Sequence, residues 1–193
     1  MVRADRERIE VSSYWIVPGR LMAGEYPGSP SPAQTQVQLA SLLRAGVRAF
    51  IDLTEADEVT RLGFLRPYAD DLRMLAPESA AEVSYARFPI RDFGAPSRGL
   101  MISILDALDA ALSRGMPAYV HCLAGRGRTG TVVGCYFFRH AERLLGTTES
   151  DHAGPLALAR ITELRVAQKV PFAEDSPQTP AQWDLVLGWR AGL

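Results

Sequence analysis

The stretch Ala118 to Gly130, AYVHCLAGRGRTG, constrains this chain more than any other. Ala118, Tyr119 and Val120 form a short apolar run of strand formers that ends on His121 and Cys122 rather than on an ordinary turn. Small or turn-tolerant residues follow (Ala124, Gly125, Gly127, Gly130), and Thr129 to Arg139 reads as a helix. A glycine-rich loop entering a helix turns unpaired backbone N–H groups inward and adds the positive end of the helix dipole, which makes an anion cradle. Cys122 and Arg128 stand at its two rims in the spacing Cys-x5-Arg. Helix N–H groups and a fixed guanidinium favour the thiolate, the nucleophilic form of cysteine. The planar fork of Arg128 can hold two phosphate oxygens at once, which a lysine cannot. An isolated Cys-x5-Arg usually marks an inert buried thiol. Here strand, glycines and helix occur in the required order, which points to a nucleophile beside a phosphate seat.

Composition narrows the setting. With 47% apolar residues among 193, the chain can bury one substantial core and is short for two. The expected division is a flexible segment over 1–12 and a single domain over 13–193. Formal net charge is -1, Lys169 is the one lysine, and the arginines are scattered among acids, so no nucleic-acid track is expected. The first ten residues lack the apolar core of a secretory signal, and no later run is long enough to cross a bilayer, so a cytoplasmic protein without stable membrane insertion is expected. Cys135 lies about two turns into the helix after the loop, on the order of 10 Å away, too far for an unstrained disulfide, and reads as core.

Taken in order, Tyr14–Val17 and Arg20–Ala23 read as two strands about Pro18-Gly19. Ser31 and Pro32 open a helix to about Arg44, and Val47–Leu53 reads as a buried strand. Glu55, Asp57 and Glu58 follow without a His or Cys nearby, so a solvated loop over the site is the expected reading rather than a metal site. Pro67–Leu75 is a helix candidate and Val83–Ile90 a further strand. Asp92 then stands on a loop with Gly94 and Pro96. An aspartate there is ordinarily a turn former, but ester cleavage needs an acid to protonate the departing oxygen, and a carboxyl on such a loop can supply it. A helix from Ser97 to about Arg114 leads to the central stretch. Helices follow over about 150–168 and 181–189, the first from Ser150 or Asp151. Helix alternating with strand argues an α/β fold.

HCLAGRGRTG resembles the signature loop of the cysteine-dependent protein phosphatases, and the chain's size resembles the compact dual-specificity branch. Cys122, Gly125, Gly127, Arg128, Thr129 and Gly130 fall where that pattern puts them, and further resemblance runs from about Tyr14 to Trp189. The resemblance implies a central mostly parallel sheet of four to five strands flanked by helices. It implies phosphate held by Leu123, Ala124, Gly125, Arg126, Gly127 and Arg128, with Cys122 as nucleophile, Asp92 as acid and Thr129 bonded to the departing sulfur. His121 would hold the loop backbone, with a general-base role as its alternative. SPQTPAQW resembles the closing motif of small bacterial members, which makes Gln178 and Gln182 candidates for holding the hydrolytic water, though a Gln there is also a good first-turn residue. No metal or cofactor is implied. The implied partner is a phosphoprotein carrying phosphotyrosine, phosphoserine or phosphothreonine, met by a monomer. A phosphoinositide phosphatase, a phosphate-binding module without turnover and a rhodanese-like sulfur transferase are the competing readings.

Overall fold

A computed structural model describes residues 9–76 and 83–190. Five strands and eight helices alternate through them: β1 (Ser13–Val17), β2 (Leu21–Gly24), α1 (Pro32–Arg44), β3 (Ala49–Asp52), α2 (Glu58–Leu62), α3 (Ala69–Leu75), β4 (Ser84–Arg87), α4 (Arg98–Ser113), β5 (Ala118–His121), α5 (Gly127–Arg139), α6 (Ala141–Leu145), α7 (Ser150–Ala167) and α8 (Pro180–Leu187). The sheet order is β1-β2-β5-β3-β4. β1 pairs antiparallel with β2, and every other pairing is parallel. The α/β sheet of four to five mostly parallel strands is what the chain builds.

Side-chain alternation explains why both faces are covered. Leu21, Ala23, Ala49, Ile51, Ala118 and Val120 point into one core cluster, and Met22, Phe50 and Tyr119 into the other. A parallel sheet buried on both faces has this pattern, with strands apolar throughout. On the first face lie α4, α5, α7 and α8; on the second, α1 and α3. Phe50 and Tyr119 are fully buried, and burial of such side chains stabilises by about 2 kcal/mol each. Helix α5 is buried from Gly127 to Phe138, as its nearly all-round apolar sequence predicts.

Boundaries differ from the sequence reading by one to three residues, most at the end of β4, which stops at Arg87 rather than Ile90. The short helices α2 and α6 were not anticipated: five residues make less than two turns, too few to show a period. Residues 1–8 of the expected flexible segment lie outside the described residues. Residues 9–12 are seated: Val11 is buried, the Glu10 N–H donates to Ser41 Oγ, and the Ser12 N–H to Glu25 Oε1.

Lys169 ends α7 with φ +58 on an exposed side chain, the left-handed position that glycine ordinarily fills. Its N–H still bonds the Val166 carbonyl, and the Val170 N–H the Arg165 carbonyl, so the helix end is well made around an unfavourable residue. Lys169→Gly should raise stability by about 1 kcal/mol, seen as a thermal midpoint higher by roughly 2–4 °C.

Candidate active site

The parallel strands end together. Gly24 of β2 pairs with His121 of β5, which pairs with Asp52 of β3, which pairs with Arg87 of β4. The loops after these strands therefore converge at one edge, where open α/β sheets place their sites.

After His121 the backbone turns into α5 through Gly125, whose φ is +65 and whose absent side chain leaves room for Gly24. A Cβ at Gly125 would lie 2.4 Å from the Gly24 carbonyl carbon, so glycine is required twice over. The loop's carbonyls face outward: Leu123 O accepts from Tyr26 N–H, Gly125 O from Arg165 Nη1 at 2.9 Å, and Arg126 O from Ser176 Oγ at 2.9 Å. Among the described residues, the N–H groups from Leu123 to Thr129 have no protein acceptor. Carbonyls tied outside and N–H groups left over is the polarity an anion nest needs. Leu123, Ala124, Gly125, Arg126, Gly127 and Arg128 thus form one loop above the buried Cys122.

Arg128 is fixed more tightly than its sequence context suggests. Its Nη1 donates to Glu58 Oε2 at 2.6 Å and to the Ile90 carbonyl at 3.0 Å. Its Nη2 donates to Glu58 Oε1 at 2.7 Å and lies 2.9 Å from Asp92 Oδ1. Glu58 is buried, which corrects the expectation of a solvated acidic loop after β3. Burial opposes the Arg128 charge, but hydrogen bonding to Glu58, the neighbouring Cys122 and the charges of Glu58 and Asp92 outweigh it and raise its pKa further. Removing one partner of such a buried pair costs about 3–5 kcal/mol, chiefly because the other is stranded. Asp92 is half exposed and also accepts the Phe93 N–H. Thus Cys122, Arg128 and Asp92, thirty-six residues apart at the extremes, come to one place.

Beneath the loop lies a buried polar row. His121 Nδ1 is 3.2 Å from the Cys122 carbonyl, and Nε2 is 2.7 Å from the Tyr68 hydroxyl. A carbonyl only accepts, so Nδ1 carries the proton and Nε2 accepts from Tyr68. Burial and the neighbouring Asp52 charge raise the Tyr68 pKa well above that of an ordinary phenol, which keeps this donor in place. Asp52, fully buried, accepts from Thr54 N–H and Oγ1, Tyr85 hydroxyl and Arg87. Burial works to raise the Asp52 pKa, and the His121 ring with the Tyr85 and Thr54 hydrogen bonds more than offsets it, so the carboxyl stays ionised. Tyr68 and Asp52 carry no motif; their strand-end and helix-start positions were the only signal. The Thr129 hydroxyl is buried without a hydrogen-bond partner among the described residues.

The closing segment meets both loops. A Cβ at Gly127 would lie 2.9 Å from Gln178 Oε1 and 3.0 Å from each amide atom of Gln182. Gln182 Oε1 accepts from the Gln178 and Thr179 N–H groups in a capping box, and its Nε2 donates to the Gly94 carbonyl at 2.9 Å. The Gln178 side chain makes no hydrogen bond among the described residues. Arg126 is committed elsewhere, to Asp175 at 2.6 Å and the Phe172 ring at 4.8 Å. A groove of about 700 Å3 along β1, lined by Trp15, Leu164 and Gln168 among others, holds none of these groups.

Burial lowers the His121 pKa below 6.5, only partly countered by Asp52 and the Cys122 carbonyl. The unfolded chain therefore takes up a proton at a pH where the folded chain does not, so stability present above about pH 6.5 is lost as pH falls through the folded value. A chemical-denaturation series from pH 7 to pH 5 should show this decline, at most about 1.4 kcal/mol per pH unit from one group. His121→Asn should flatten it.

Residues 24–142 match the family described as Polymorphic toxin system, DSP-PTPase phosphatase. Over 128 residues the chain is 27% identical to the protein tyrosine phosphatase domain-containing protein 1 of Mus musculus, covering 65% of this chain. It is 32% identical over 109 residues to a tyrosine-phosphatase homologue, 067L, of Invertebrate iridescent virus 3, covering 54% of this chain. These matches span 17% and 39% of the relatives' own lengths. Among solved structures, Tk-PTP in its active form superposes with a TM-score of 0.62 at 22% identity, over 91% of this chain and 93% of that one. Kinase associated phosphatase gives 0.66 at 17%, over 94% and 97%, and PTPMT1 in complex with PI(5)P 0.62 at 17%, over 92% and 93%. The structural likenesses establish the shared fold. The matched span runs from the end of β2 through α5 and so takes in Glu58, Asp92 and the whole loop from Cys122 to Arg128; on that match the chain belongs to the polymorphic-toxin-system DSP-PTPase phosphatase family.

Proposed function

We propose that this phosphatase-family chain hydrolyses phosphomonoesters through a phosphocysteine intermediate, acting on phosphotyrosine and also on phosphoserine or phosphothreonine in proteins. The observation that carries the reading is the unpartnered run of N–H groups from Leu123 to Thr129 beside a guanidinium whose plane Glu58 fixes. Three of the five Arg128 N–H donors are taken by Glu58 and the Ile90 carbonyl, and Asp92 Oδ1 faces Nη2 as an ion pair at 2.9 Å; the Nε–H has no acceptor among the described residues. An entering phosphate takes the Nε–H and, as Asp92 moves off, the Nη2 hydrogen left free by Glu58. Asp92 is thereby released toward the ester oxygen.

Cys122 Sγ, as thiolate, attacks phosphorus while the bond to the ester oxygen breaks, and protonated Asp92 gives that oxygen its proton. In the second step a water oxygen attacks the phosphocysteine, its proton goes to the Asp92 carboxylate, and the sulfur leaves as thiolate. Thr129, whose hydroxyl is buried and uncommitted, donates to that sulfur. Gln178 remains available to hold the water, because Gln182 is engaged by Gly94 and its own helix cap. His121 keeps the loop backbone in place through the Cys122 carbonyl. Arg128 and the N–H groups supply the positive charge throughout, so no metal or cofactor enters the scheme, and chelators should leave the rate unchanged.

Protein substrates are favoured over phosphoinositides because Arg126, the extra cation a further headgroup phosphate needs, is already held by Asp175. No helix among the described residues is long and apolar enough to cross a membrane; a reducing compartment such as the cytoplasm suits a free Cys122, and a monomer is sufficient for the chemistry.

Assays with para-nitrophenyl phosphate, phosphopeptides and phosphoinositides test the reading directly. Cys122→Ser should abolish turnover while inorganic phosphate still binds; full activity in that variant, or phosphate binding without turnover in the parent chain, overturns it. Asp92→Ala should slow alkyl phosphates by roughly a hundredfold or more, and aryl phosphates with good leaving groups far less. Equal losses remove Asp92 from the acid role.

A further inference from the structure

We propose that Gln182 is a positioning residue that holds the Asp92 loop closed over the phosphate cradle through its Nε2–H; this rests on Asp92 being the acid. Arg128 holds the start of the loop at the Ile90 carbonyl and Asp92, and the Gly94 N–H bonds the Arg91 carbonyl, but the turn at Phe93 needs support of its own. Phe93 follows Asp92 with φ +57, a conformation that a bulky L residue adopts only under compulsion, and its side chain is 61% exposed, so burial does not compensate. Compensation comes from α8 and its cap: Thr179 Oγ1 donates to the Phe93 carbonyl at 3.3 Å and Gln182 Nε2 to the Gly94 carbonyl at 2.9 Å. Gln182 is completely buried. The same amide lies against the backbone of Gly127, so one side chain gauges the distance between the signature loop and the acid loop. With the carbonyls of residues 93 and 94 drawn toward α8, Asp92 is left 2.9 Å from Arg128 Nη2.

The two ends of the amide have separable tasks. Oε1 caps α8, accepting from Gln178 and Thr179, and a glutamate at this third helical position does that equally well. Nε2 alone reaches the acid loop. Gln182→Glu therefore keeps the cap, loses the donor, and sets a carboxylate against the Gly94 carbonyl.

The test measures turnover across a series of phosphate monoesters whose leaving groups range from para-nitrophenol to simple alcohols, for the parent chain, Asp92→Ala and Gln182→Glu. Gln182→Glu should lose at least tenfold in kcat on alkyl esters and less than threefold on para-nitrophenyl phosphate, tracking Asp92→Ala, with phosphate inhibition and iodoacetamide alkylation of Cys122 within twofold of the parent. Should Gln182→Glu fail to fold, Gln182→Met, of similar length and without a donor, is put through the same series. A loss equal across leaving groups, or none, overturns the proposal. An equal loss across leaving groups in Asp92→Ala itself overturns the acid assignment instead, and the two failures are distinguished because each variant is read against the same series.

Discussion

A buried guanidinium needs counter-charge and acceptors on nearly every N–H, and Arg128 obtains them from three segments that are far apart in sequence. Glu58 begins the short helix after β3, the Ile90 carbonyl follows β4, and Asp92 lies two residues further on. All three can arrive only because β3, β4 and β5 are parallel and end in the same row. The requirement acts on the sheet as well as on the site: shifting β3 by one residue would carry Glu58 away and strand a charge whose burial is expensive. Fold and candidate site are in that sense one constraint.

The remaining groups act as supports for this cation and the loop around it. His121 joins the Cys122 carbonyl to Tyr68, and Asp52 joins the ends of β3 and β4 through Tyr85 and Arg87. None of these side chains needs to touch a substrate. Each satisfies a buried polar neighbour that would otherwise weaken the strand ends where the loops depart.

Much of this was legible before any coordinates. The long helices and the strands carried their own periods, and the run from Cys122 to Gly130 carried loop and helix start together. Glu58 was not legible, because its meaning is set by a partner seventy residues later and its local company, Glu55 and Asp57, looks solvated. A topological clue was available: an acid just after a strand beside β5 must lie near the loop that follows β5. Gln182 was visible as part of a closing motif, but which end of its amide does what depends on the position of Gly94, and no local pattern encodes that. The seating of Val11 was likewise hidden, since a charged approach to one apolar residue gives no period.

The outward carbonyls of Gly125 and Arg126 are both received by residues beyond position 142, Arg165 on α7 and Ser176 before α8. The loop from Cys122 to Gly130 is therefore anchored by a stretch outside the span that matches the family. Change in that stretch can tilt the cradle, or retune the clearance over Gly127, while every letter of the signature stays the same. Relatives sharing an identical loop can thus drift apart in selectivity through their tails, and inspection of the signature alone would not reveal it.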